Sequence, residues 1–269
     1  MTGNNAVTDS IWNTIRATGL LGDHPVRILD STDSTNTIAI QMSDKGTPPG
    51  TIVIAETQAK GKGRLQRSWF SPPGTGLYFS MIMNPKLAHR DLPKIPLAAG
   101  VAVCRAIEEE TGLQPALKWP NDLLLDGRKF GGILCESEGA VTSGQPGVIL
   151  GIGINVSTPL ESFPSELHSK ATSLMAHSGN YFSRGQILAR IVKAVDNIVL
   201  RLEQSAFAEI LTEWKTRDAI KEKKMTWLTP KGKKVTGKSL GPDSEGILII
   251  IDDNGTTHRV LSGDINLVI

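Results

Sequence analysis

Four stretches of this 269-residue chain combine residue types that could do chemistry together. The first, Gln58-Ala-Lys-Gly-Lys-Gly-Arg64-Leu-Gln-Arg67-Ser-Trp69-Phe-Ser-Pro, puts Lys60, Lys62, Arg64 and Arg67 within eight residues, with glycines at 61 and 63. Glycine lets a backbone approach a ligand closely and clustered cations suit phosphate or carboxylate, so this reads either as an anion cradle or as a solvated basic loop. It is neither a G-x-x-x-x-G-K-[ST] phosphate loop nor a G-x-G-x-x-G dinucleotide turn. The second stretch is Lys118-Trp-Pro-Asn-Asp122-Leu-Leu-Leu-Asp-Gly-Arg-Lys129-Phe-Gly-Gly-Ile-Leu-Cys-Glu136. Lys129 at the entry of its last apolar run is either a fixed point charge or an ordinary hairpin lysine, and Gly131-Gly132 suggests a ligand lying close to the strand. The third, Asp30-Ser-Thr-Asp-Ser34-Thr35-Asn36, holds more hydroxyls and amides than one helix cap needs; the surplus could bond a urea or amide. The fourth, Gly151-Ile-Gly-Ile-Asn155-Val, reads as a core strand ending in an amide that could read an adenine edge.

The elements that must position these residues follow from periodicity. Short β-rich runs are expected over 51–55, 77–83, 116–119, 123–125, 132–135 and 147–156, punctuated by Gly, Pro, Asn and Asp. A helix over 34–44 is followed by Gly46, and the stripe Leu97, Val101, Cys104, Ile107 marks a second helix that Gly112 would stop. Ser183 and Gln186 fit an S-x-x-Q capping box ahead of the stripe Ile187, Ile191, Val195, Ile198, Leu202, and Phe207, Ile210, Leu211 and Trp214 extend another. Ile11, Trp12 and Ile15 suggest a short N-terminal helix. Beyond about residue 220 the helical period gives way to five short strands over 225–228, 234–237, 247–251, 258–261 and 265–269, which suggests a small barrel. The expectation is an α+β domain followed by a β module.

Composition narrows the function classes. Hydrophobic residues are 39%, charged residues 21% and aromatics 5%, which excludes a disordered chain, and no apolar run approaches a membrane span. The first ten residues are polar without a secretion pattern, so the cytoplasm is the expected location. Cys104 and Cys135 sit in apolar contexts that suit buried thiols better than a disulfide or metal site. The net charge of +2 argues against wholesale nucleic-acid binding, although 215–238 carries nine Lys/Arg against Asp218 and Glu222, or +7, leaving −5 elsewhere. That run is either a solvated face or a steering patch for an acidic partner.

Taken in order, the four stretches resemble biotin protein ligases from about Ile28 to the C-terminus, most specifically through Lys118-Trp-Pro-Asn-Asp122 with Lys129 and through the glycine/basic loop ending in Trp69-Phe-Ser-Pro. The resemblance implies a class II synthetase-like fold with a mixed β-sheet: an extension over 1–26, a catalytic domain over 27–220 and an SH3-like β-barrel over 221–269. It implies that biotin and Mg-ATP form biotinyl-5′-adenylate, and that the acyl group then passes to a lysine of the biotin carboxyl carrier protein of acetyl-CoA carboxylase or a related carboxylase. By resemblance, Ser34, Thr35, Asn36 and Gln58 hold the ureido ring. Lys62, Gly63 and Arg64 close over carboxylate and phosphate, and Tyr78 and Gly132 line the biotin pocket. Lys129 bridges carboxyl and α-phosphate; with Lys62 and Arg64 it forms the catalytic set. Arg67, Trp69, Asn121, Asp122 and Asn155 fall to the adenylate, Trp69 stacking on adenine and Asp122 lying near Mg²⁺ or assisting the incoming lysine.

The usual G-R-G-R-x-G-R loop reads here with Lys62 in place of its first Arg and Gln66 in place of a Gly, so weaker retention of the adenylate is expected. Some relatives carry an N-terminal winged helix-turn-helix and repress genes; with about 26 residues ahead of the pattern, the ligase-only kind without specific DNA binding is expected. A homodimer through the central sheet stays open. Two alternatives share parts of this pattern: a lipoate-protein ligase, and a biotin- or adenylate-sensing protein that binds nucleic acid through its basic module.

Overall fold

In the computed structural model, residues 15, 19–138, 147–228, 234–260 and 265–267 are described. Seven strands form one mixed sheet: β1 (Val26–Thr32), β2 (Ile52–Gln58), β3 (Gly76–Met83), β4 (Ala116–Lys118), β5 (Asp122–Leu125), β6 (Arg128–Glu138) and β7 (Gly147–Asn155). Their spatial order is β1-β2-β3-β7-β6-β5-β4. Only β1 and β2 run parallel; the other neighbours are antiparallel. The three-strand reading of the Lys118 stretch is borne out, with β6 longer than expected because it pairs with β7 from Gly131 to Glu138. β1 was not among the expected strands, since its polar end, Asp-Ser-Thr, reads as the start of a cap.

Strand alternation divides the residues between two faces. One face, with Ile52, Ile54, Leu77, Phe79, Met81, Leu150, Ile152 and Ile154, packs on the main helical layer. That layer comprises α2 (Ile95–Thr111), α4 (Arg184–Glu203) and α5 (Phe207–Thr216). α2 is buried nearly all round and ends at Gly112 in the left-handed region, φ +72°. Ser183 accepts from the Gln186 N–H at the start of α4. A short α3 (Leu174–Ser178), capped by Ser173, was not anticipated. The other face is covered over its β1–β2–β3–β7 half by α1 (Thr35–Asp44), whose Ala39 packs on Val53, Ile82 and Ile149. The rest of that face carries the candidate site.

Five strands, β8 (Lys224–Leu228), β9 (Lys234–Pro242), β10 (Leu248–Asp252), β11 (Thr257–Val260) and β12 (Ile265–Leu267), form the expected C-terminal antiparallel sheet in the order β11-β10-β9-β8-β12. It is an SH3-like module, but its apolar face is not separate: Met225, Trp227, Leu248, Ile250 and Val260 join the cluster that contains α2 and α5. The connection is structured as well. Leu117 N–H donates to Arg217 O and Ala219 N–H to Leu117 O, both at 2.8 Å, so residues 217–219 run along the outer edge of β4. Of the expected N-terminal helix, Ile11 and Trp12 lie outside the described residues, while Ile15 is helical and buried.

Candidate functional site

The floor of the candidate site is built from absent side chains. Antiparallel register sets Tyr78, Gly153 and Gly132 in one row across β3, β7 and β6, and Ser80, Gly151 and Leu134 in the next. The Trp69 indole lies on the first row: a Cβ at Gly153 would come within 2.6 Å of its Nε1, and one at Gly132 within 3.3 Å of Cζ3. The Asn36 amide lies on the second, where a Cβ at Gly151 would overlap Oδ1. Substitution at Gly153 or Gly151 would require displacement of the ring or the amide, while at Gly132 the fit would be tight. Trp69 Nε1 is buried without a hydrogen-bond partner among the described residues.

At one end of this floor the N-terminus of α1 supplies a polar cluster. Ser34, Thr35, Asn36 and Ser80 are all buried. Ser80 Oγ lies 2.8 Å from Thr35 Oγ1 and 2.5 Å from Asn36 Oδ1, and Asn36 Nδ2 donates to Glu136 Oε2 at 2.7 Å. Gln58 Oε1 accepts from the Thr35 N–H at 2.9 Å and stands 3.2 Å from Thr35 Oγ1. Gln58 Nε2 in turn donates to Ser71 Oγ at 2.9 Å, and Ser71 Oγ donates to the Trp69 carbonyl at 3.1 Å. The hydroxyl cluster and the loop that carries Trp69 are therefore one hydrogen-bonded unit. Gly61 completes it, because a Cβ there would overlap the Trp69 carbonyl oxygen.

Cations dominate the other end. Lys129 Nζ sits 2.5 Å from Asp122 Oδ1 and 5.3 Å from the Trp69 ring centroid. Its backbone is held on both sides, Lys129 N–H donating to Lys170 O at 2.7 Å and Thr172 N–H to Lys129 O at 2.9 Å. Burial weighs against the charge of Arg64, with Asp122 acting to restore it. Burial likewise holds Lys118 below the usual lysine range; Lys129 and Arg67 push the same way and Asp122 opposes them. Three cations, Lys129, Arg64 and Lys118, thus share the field of one carboxylate, an arrangement that incoming anions would stabilise. The glycine/basic loop is a tight hairpin: Lys62 bridges Ser68, Gly63 N–H donates to Arg67 O at 2.7 Å, and Trp69 N–H to Gly61 O at 2.8 Å. At its tip Leu65 and Gln66 both take left-handed backbone, φ +54° and +59°.

The fold thus brings Ser34, Thr35, Asn36, Gln58, Trp69, Gly132, Asp122 and Lys129 together on one face, with Arg64 half-buried beside them and Lys62 and Arg67 on the exposed side of the hairpin. Three other expected residues are engaged in the framework. Tyr78 is buried with its hydroxyl donating to Pro72 O at 3.0 Å, which ties down the chain after the loop. Burial raises its phenol well above the usual range. Asn121 Nδ2 donates to Ile133 O at 2.7 Å, pinning its turn to β6. Asn155 Nδ2 donates to Thr172 O at 3.0 Å, fixing the segment that flanks Lys129. Sequence reasoning gave no role to Ser80, Glu136, Ser71 or Lys118, although the last three lie inside the stretches it singled out. A lone hydroxyl in the apolar run of β3 is the one local signal that could have revealed Ser80. Among the described residues there is no cluster of three metal-ligating side chains, and no helix long and apolar enough to cross a membrane.

Residues 28–155 match the Biotin/lipoate A/B protein ligase family. The bifunctional ligase/repressor BirA of Bacillus subtilis (strain 168) is 34% identical over 250 residues, 93% of this chain and 76% of the relative. The biotin–[acetyl-CoA-carboxylase] ligase of Mycobacterium tuberculosis is 29% identical over 88% of this chain and 87% of its own. Among solved structures, a biotin protein ligase from Aquifex aeolicus in complex with biotin and ATP superposes with a TM-score of 0.78 at 31% identity, covering 91% of this chain and 98% of that one.

Proposed function

This chain belongs to the biotin protein ligase family, and we propose that the glycine-floored cleft is its active site. It is an ATP-dependent biotin–[acetyl-CoA-carboxylase] ligase, which activates biotin as biotinyl-5′-AMP and transfers the acyl group to a protein lysine. The observation that carries the site assignment is the opposition of two ends across one floor. A neutral hydroxyl–amide cluster at 34–36 and 80 suits a ureido ring, and the cations around Asp122 suit a carboxylate meeting a phosphate. We take 27–220 as the catalytic domain, 221–269 as the accessory module and the biotin carboxyl carrier protein as the acceptor.

In the first step a carboxylate oxygen of biotin forms a bond to the α-phosphorus of ATP while the bond to pyrophosphate breaks. The barrier is anion–anion repulsion, so cations fixed in advance at the junction lower it. Lys129, held by backbone bonds on both sides and by Asp122, bridges the carboxylate and α-phosphate; Arg64 and Lys62 close over them from the hairpin. Trp69 and Arg67 face the nucleotide, with Asn121 and Asn155 shaping its surroundings through the backbone they hold. Mg²⁺ carried by the ATP phosphates supplies charge neutralisation, and Asp122 is the carboxylate beside Lys129 that can offer it an oxygen, in keeping with a metal held mainly by substrate phosphates. In the second step a neutral acceptor amine attacks the acyl carbon, AMP leaves, and the amine loses a proton. Asp122 is the nearby carboxylate able to take it.

The test is an intact-mass assay with the purified chain, Mg-ATP and an apo carrier domain, supplied with biotin or lipoate. One biotinyl increment, absent with lipoate and strongly reduced in Lys129→Ala, is the expected outcome. An increment from lipoate alone would move the specificity to the other branch of the family.

A further inference from the structure

We propose that Glu136 is a positioning residue: it fixes the direction of the protons in the buried hydroxyl cluster and so makes Thr35 Oγ1 an acceptor for a ligand N–H. The proposal rests on the ligase reading of the cleft and deepens it. A carboxylate only accepts hydrogen bonds, so the Asn36 group 2.7 Å from Glu136 Oε2 is the NH₂, and Asn36 Oδ1 therefore faces Ser80. At 2.5 Å from that oxygen, Ser80 must give it its only proton. Ser80 Oγ can then only accept from Thr35 Oγ1, which is 2.8 Å away. Thr35 has one hydroxyl proton, and it is now committed.

The 3.2 Å approach between Thr35 Oγ1 and Gln58 Oε1 is consequently a pair of acceptors with no proton between them. A ring N–H supplies the missing proton; a dithiolane ring, which has none, leaves two buried acceptors facing each other, a cost that hydrogen-bonding sites turn into discrimination. Without Glu136, both Ser80 and the Asn36 amide could turn, because a hydroxyl donates or accepts and an amide presents either end. The sense of the chain would be lost although every heavy atom stayed in place.

The experiment compares wild type, Glu136→Gln and the transposed pair Asn36→Asp/Glu136→Gln, measuring biotin Kd by calorimetry without ATP, then KM for ATP and the thermal midpoint. Glu136→Gln should weaken biotin about tenfold, which corresponds to about 1.4 kcal/mol, with KM for ATP within about twofold and an unchanged midpoint. In the transposed pair the amide introduced at position 136 can donate to the carboxylate introduced at position 36, whose second oxygen still accepts from Ser80, so most of the lost affinity should return. Biotin binding by Glu136→Gln within about twofold of wild type would overturn the proposal, as would a transposed pair no better than the single variant. No binding by the wild-type protein would instead overturn the ligase reading, and the proposal with it.

Discussion

The charge environment of individual side chains makes predictions at the residue scale. Lys118 is held below its ordinary range by burial and by the neighbouring Lys129 and Arg67. An anion beside it favours the charged ammonium, so ATP bound in the proposed site should raise this pKa and take up protons, and affinity should fall as pH climbs through the depressed value. Titrations in two buffers of different ionisation enthalpy should show that uptake in wild type and its loss in Lys118→Met; equal heats would refute it. Burial pushes the Cys104 thiol up to about 12, so at pH 8 it should resist thiol reagents until the chain unfolds. Fast labelling of native protein at that position would contradict this. Lys129, Asp122, Thr35 and Asn36 were legible in the sequence because charged and amide groups beside apolar or glycine-rich runs stand out. Ser80, Glu136 and Ser71 were not, since each is one polar residue whose partners lie 44, 100 and 13 positions away.

At the scale of elements, the hairpin tip carries a backbone cost. Gln66 occupies left-handed backbone at φ +59°, next to Leu65 at +54°, and a non-glycine residue there costs roughly 1 kcal/mol. Gln66→Gly should relieve that strain, favour the closed hairpin and slow biotinyl-adenylate release by roughly fivefold in a single-turnover chase. A release rate equal to or faster than wild type would show that the tip does not limit retention. The same chase tests Lys62→Arg, which introduces a forked donor and should also slow release. Periodicity revealed α2, α4, α5, the β5–β6 hairpin and the five C-terminal strands because each carries a full local signal. β1 and the long reach of β6 were hidden, since pairing between distant segments defines their extents, whereas β7 runs almost as expected over Gly147–Asn155.

For the whole molecule, the catalytic sheet and the C-terminal module act as one packed body. Trp119, from the motif that begins at Lys118, donates its indole N–H to Gly246 O at 3.0 Å, and Gly246, at φ +80°, has no room for a Cβ, which would meet Leu97 Cδ1 at 2.8 Å. Gly246→Ala should therefore cost about 1–3 kcal/mol by crowding and backbone strain, and it should lower a single unfolding transition instead of splitting it in two. Calorimetry decides between these outcomes. If the exposed lysines around 221–224 and 238 steer an acidic carrier, kcat/KM for the carrier should drop steeply with added salt while adenylate formation barely changes. The order of the two parts was readable from where the helical period stops, but their shared core was not, because apolar residues do not declare which neighbour they will meet. The segment 217–219, laid along β4 as a further edge partner, carries this union into heredity. A recombination crossover there would replace part of one protein's sheet edge with another's, so the apparent seam is a poor point for exchange and the two parts should be inherited together.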